Sequence, residues 1–212
     1  GDYLLATSLV HAELTNSHQI IRLVSSLGQD LADGELLQLS NVSNHSFSET
    51  VYFDVIRKKT AALFAACTEA AAYSVGVSEE EVKLARLLGE YIGICFQIKD
   101  DIFDYFDSKE IGKPTGNDML EGKLTLPVLY ALNRANDNQA AEIALKVKEG
   151  TATLAEIARL IAFTKENGGI EYAVRTMNAY KQKAFGLLAS LPDSAICVAL
   201  RSYLDYVVDR EK

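Results

Sequence analysis

Along almost the whole chain apolar residues recur every three to four positions, and strand-like alternation is hard to find. Asp2 is placed to cap a helix that runs through Leu14. Ser17 caps the next, whose Ile20, Ile21, Val24, Leu27, Leu31 and Leu36 follow helical spacing. Gly28 and Gly34 lie inside that helix, where each costs roughly 1 kcal/mol against alanine, so both argue for close backbone approach. After a polar break over 41–47, a long helix starts at Ser48 and ends near Gly76. Ser78 with Glu81, and Thr153 with Glu156, form capping boxes. The helix opened by Ser78 should reach about Phe106, followed by a glycine- and charge-rich loop over 107–122. Pro127 suits the first turn of a helix that ends near Ala135. Further helices are predicted over 138–148, 154–166, 170–190 and 194–208, with Gly150, Asn167-Gly168-Gly169 and Pro192 as the breaks. With no internal repeat or linker, the pattern predicts an all-α fold and a single helical domain over 1–212.

Composition narrows the partners. At 49% hydrophobic residues, the 212-residue chain can bury a sizeable core. A net charge of −8 argues against a nucleic-acid partner, whose phosphates want a basic surface. No apolar run approaches the roughly 20 residues of a transmembrane helix. Cys67, Cys95 and Cys197 are odd in number and set among apolar neighbours; they read as reduced core residues of a cytoplasmic protein. The histidines His11, His18 and His45 share no metal-binding spacing, and no serine lies in a nucleophile elbow.

Chemistry concentrates in the stretch QIKDDIFDYFDSKEIGKPTGND, from Gln97 to Asp118. On a helix Asp104 lies about 40° round from Asp100, Gln97 about 60° and Asp101 about 100°. Four polar side chains thus share one rim, opposite Ile94, Ile98, Ile102, Tyr105 and Phe106. Two carboxylates about 6 Å apart repel by roughly 3 kcal/mol at an effective dielectric of 20 and by less than about 1 kcal/mol in water. A fully wet rim would tolerate the cluster; a rim lining a cleft needs a cation. Hard oxygen ligands without histidine or cysteine fit Mg²⁺ bridged to phosphates. Lys113 and Lys123 bracket the following loop, and Lys58-Lys59-Thr60 sits in the middle of an alanine-rich helix. Lysines, a hydroxyl and a magnesium site together equip a protein to bind a diphosphate.

FQIKDDIFDYF followed by GKPTGNDMLEGKLTLPVLYAL resembles the second aspartate-rich motif and loop of the trans-isoprenyl diphosphate synthases, the polyprenyl synthetases. GDYLLATSL, GELLQL and VIRKKTAALFAAC resemble further segments of that family, in the family's order. The resemblance implies an isoprenoid-synthase-type helical bundle around a central cavity. It implies condensation of an allylic diphosphate with isopentenyl diphosphate, driven by Mg²⁺-assisted ionisation of the allylic partner. By position, Asp100, Asp101 and Asp104 match the metal-binding acids, with Asp104 acting through bound water. Lys59, Lys113 and Lys123 match diphosphate-binding lysines, and Thr60 and Gln97 match residues that face the reacting carbons. A homodimer is implied as well. The family's first aspartate-rich motif and the helices around it have no counterpart in the 212 residues. The reading is therefore of the family's C-terminal two-thirds, inactive by itself. Two alternatives stay open: a non-catalytic partner or regulatory subunit of a complete synthase, and a terpene cyclase.

Overall fold

Ile94, Cys95 and Ile98 have no solvent-accessible surface, so the helix that carries them runs through the middle of the molecule. The computed structural model describes residues 1–42, 46–106, 115–192 and 194–211, and every regular element among them is a helix. In chain order these are α1 (Asp2–Leu14), α2 (His18–Val42), α3 (Glu49–Ile56), α4 (Ala62–Ser74) and α5 (Glu79–Phe103). They continue as α6 (Asn117–Leu120), α7 (Leu126–Ala135), α8 (Asn138–Lys148), α9 (Leu154–Glu166), α10 (Gly169–Ala189) and α11 (Ala195–Asp209).

Central α5 packs against α4, α7, α10 and α11. Both capping boxes form: Ser78 and Glu81 open α5, and Thr153 and Glu156 open α9. The long helix expected from Ser48 is instead α3 and α4 joined by a π-helical turn, Arg57–Ala61, in which the Ala62 N–H reaches back to the Arg57 carbonyl. One extra residue in a turn re-aims its side chains, and such turns cluster at functional sites. Here Ala61 lies fully buried against α5, where a β-carbon on Gly93 would come within 2.6 Å of the Ala61 Cα. Gly89 makes a similar approach to α4, where a β-carbon would meet the Phe64 carbonyl oxygen at 2.5 Å.

The expectation for Gly34 holds, since a β-carbon there would meet Lys59 Cγ at 2.7 Å. Gly28 does not behave so: nothing lies within 4 Å of the same position. Cys95 and Cys197 are buried, but Cys67 is exposed on α4 and is not a core residue. Two apolar clusters make the core, one around α5 and α10 and one around α8 and α9. Phe47, Leu124 and Ile170 pack against both.

Candidate diphosphate-binding site

Where the π turn faces α5, α2 and the segment after α6, a cavity of about 510 Å³ opens. The π turn contributes Lys59 and Thr60, α5 contributes Gln97 and Asp101, and Lys123 comes from the segment between α6 and α7. Five of the eight residues expected from sequence therefore line one cavity. The Lys59 ammonium donates to Glu35 and, at 2.7 Å, to Gln38 Oε1, both on α2. Gly34 is what lets α2 come this close. Lys123 pairs with Glu121. Burial pulls the Lys123 ammonium down, but Glu121, Asp118 and Glu35 together outweigh it and hold the group above the usual lysine value.

Asp101 is only 3% exposed. Its carboxylate accepts from the Tyr52 hydroxyl at 2.6 Å and from the Gln97 amide at 2.8 Å. The Gln97 carbonyl oxygen in turn accepts from the Thr60 hydroxyl at 2.6 Å. Burial, reinforced by Asp118, pushes the Asp101 carboxyl up to about 7 against the pull of those two donors. Asp118 lines the same cavity, and burial together with Asp104 pushes it up to about 6. The sequence reading passed over Asp118, although it stands in the same acidic stretch.

Asp100 and Asp104 lie off the cavity wall. Asp100 is ion-paired with Arg210, just beyond α11, whose guanidinium also donates to the Phe96 carbonyl at 3.2 Å and stacks 4.2 Å from the Phe96 ring centre. Nothing in the sequence near Asp100 signals a partner 110 positions away. Asp104 ends α5 earlier than expected: its carboxylate accepts the backbone N–H groups of Asn117 and Asp118, at 3.0 and 3.1 Å, and so caps α6. Beyond it Phe106 is 46% exposed under the Lys165 ammonium, not on the buried side as the helical wheel placed it. Lys99 lies over the Phe103 ring at 4.9 Å. Lys113 lies outside the described residues.

The donors fit magnesium in kind. They are hard oxygens, and burial first, with neighbouring carboxylates, raises Asp101 and Asp118, a rise that Lys123 offsets only in part at Asp118. Among the described residues no three acids, histidines or cysteines converge to hold an ion by themselves. Mg²⁺ does not demand that, because it commonly takes one or two carboxylates and completes its shell with water and phosphate.

Residues 1–164 match the family model described as polyprenyl synthetase. The chain belongs to the polyprenyl synthetase family. The octaprenyl diphosphate synthase of Haemophilus influenzae is 35% identical over 211 residues, covering 99% of this chain and 64% of that protein. Heptaprenyl diphosphate synthase component 2 of Geobacillus stearothermophilus is also 35% identical, over 100% of this chain and 65% of its own length. This polyprenyl synthetase chain thus spans a little under two-thirds of those relatives. Among solved structures, geranylgeranyl pyrophosphate synthase from Bacteroides thetaiotaomicron is 81% identical with a TM-score of 0.96, covering 99% of this chain and 69% of that one. The decaprenyl diphosphate synthase of Rhodobacter capsulatus follows the same fold at 35% identity and a TM-score of 0.89, covering 99% and 66%.

Proposed function

We propose that the protein is a trans-prenyltransferase that condenses an allylic diphosphate with isopentenyl diphosphate to give a longer polyprenyl diphosphate. The observation that carries this reading is the cavity lined by Lys59, Thr60, Gln97, Asp101 and Lys123, which come from three separate segments. Lys59 and Lys123 exchange Glu35, Gln38 and Glu121 for the oxygens of a diphosphate. Thr60 and Gln97 face the carbons from which that diphosphate departs. Preorganised dipoles in a dry pocket stabilise the charge that develops there. Mg²⁺, when bound, neutralises phosphate charge and helps the diphosphate leave. Asp100, Asp101 and Asp118 are the acids that would hold it, and Asp104, whose carboxylate already caps α6, would act on it less directly. For Asp100, this requires release of Arg210.

The 212 residues contain one Asp-Asp-x-x-Asp segment, so we expect no condensation from them alone. A homodimer and a cytoplasmic location complete the proposal; among the described residues no helix is long and apolar enough to cross a membrane. The word "component" in the Geobacillus relative's name favours a second reading, a subunit that works with a partner chain. Even then, the cavity side chains are what catalysis needs, which speaks against a non-catalytic subunit.

A hybrid tests the reading, in which these residues replace the matching segment of the 81%-identical Bacteroides synthase. The hybrid should transfer isopentenyl units, and Lys59→Ala in it should lower kcat/KM by about 10²–10³. A folded hybrid that binds both diphosphates but joins none would overturn the proposal.

A further inference from the structure

Lys59 and Lys123, the cations that face the diphosphate in the reading above, are each engaged by a carboxylate that lines the same cavity. Lys59 is ion-paired with Glu35 on α2, and Lys123 with Glu121 at the C-terminal cap of α6. The two pairs sense one another. A hydrogen bond from Lys59, and then its charge, holds the Glu35 carboxyl below the usual glutamate range, and Lys123 adds a smaller pull. Glu35 in turn helps to keep Lys123 charged. Two cations and two anions thus form one set without net charge on the surface that a diphosphate has to meet.

Within each pair the glutamate is the looser member. The Lys59 and Lys123 side chains are 31% and 37% exposed, against 52% and 63% for Glu35 and Glu121. Lys59 also donates to Gln38, and its stem lies against Gly34. An incoming anion can displace the carboxylate while the lysine stays in place, but one anionic partner then replaces another and little is gained. The displaced carboxylate also remains beside the new charge and repels it. A diphosphate that carries a divalent ion has part of its charge neutralised and meets less of that repulsion.

We propose that Glu35 and Glu121 are specificity-determining residues: by neutralising Lys59 and Lys123 they exclude a bare diphosphate and admit one that carries its divalent ion. The inference rests on the diphosphate reading of the cavity and deepens it, because it assigns the requirement for the ion to two side chains that need not touch the ion.

Glu35→Gln and Glu121→Gln keep the shape of each side chain and remove its charge. Calorimetric titration with inorganic pyrophosphate and a chelator should show saturable binding to the double variant where the parent chain shows none, a gain of about tenfold or more. With Mg²⁺ present, the double variant should bind within about threefold of the parent. Adding Lys59→Ala to the double variant should remove the chelator-resistant binding again. Glu79→Gln with Glu80→Gln, at the opposite end of α5 from Gln97 and Asp101, removes as much negative charge and should give no gain. An equal gain there would show a general effect of net charge and overturn the proposal. If the parent binds pyrophosphate with Mg²⁺ but the double variant gains nothing in the chelator, the proposal falls while the diphosphate reading stands. Loss of the Mg²⁺-dependent binding in the double variant would show that Glu35 or Glu121 serves the ion, and the proposal falls again. If the parent fails to bind pyrophosphate even with Mg²⁺, the diphosphate reading falls and takes this inference with it.

Discussion

Gly93 and Gly28 both sit inside long helices, yet an added methyl group meets different surroundings at each. At Gly93 it would strike the Ala61 backbone at 2.6 Å; at Gly28 it meets nothing within 4 Å. Gly93→Ala should therefore force α5 away from the π turn and destabilise the protein by about 1–3 kcal/mol. Gly28→Ala should stabilise it by about 0.5–1 kcal/mol through helix propensity alone. Chemical denaturation of the two variants measures both signs, and equal signs would contradict the packing described. Glycine in a helix is legible in sequence, but its purpose is not. The residue shows that the chain tolerates a cost, whereas the surface it approaches belongs to another helix. Gly34, against Lys58 and Lys59, repays that cost by bringing α2 to the cavity. Gly28 has no such neighbour.

The starts of α5 and α9 were readable because a cap is a local hydrogen bond between residues three apart, whereas Asp2, expected to cap α1, is its first residue and Gly1 holds the cap position. Glu156 shows how much charge such a cap gathers. The Lys146 ammonium first, and then the Thr153 backbone and hydroxyl, hold its carboxyl down at about 2. A depressed acid stabilises the fold above its unfolded pKa, and that contribution drains away as pH falls through the folded one. Glu156→Gln should thus lower the Tm at pH 7, and the difference should shrink between the ordinary glutamate range near 4.5 and about pH 2. A deficit that stays constant down to pH 2 would show that the charge plays no part. Helix ends were less legible where the stopping residue reaches far along the chain. Asp104 closes α5 by binding N–H groups 13 and 14 residues ahead, so periodicity alone carried the helix too far, to Phe106. The π turn was invisible for a related reason, since its extra residue leaves the apolar pattern of a long helix nearly intact.

For the molecule as a whole, the helical class and most element positions follow from spacing, while the cavity needs three dimensions. Lys59, Thr60, Gln97, Asp101 and Lys123 were named from sequence and do converge. Asp100 was named too, but its Arg210 partner lies 110 positions away along the chain, out of reach of any local pattern. Tyr52 escaped notice because a buried tyrosine in an apolar run looks like core until its hydroxyl is seen on Asp101. The claim on which the functional reading rests is that this cavity grips a diphosphate with its lysines and a divalent ion together. Calorimetric titration of the chain with inorganic pyrophosphate, with and without Mg²⁺, measures that directly. Saturable binding should require Mg²⁺, vanish with a chelator, and weaken by about tenfold or more in both Lys59→Ala and Lys123→Ala. Binding that survives the chelator and both substitutions, or no saturation in the folded protein with Mg²⁺ present, would contradict it.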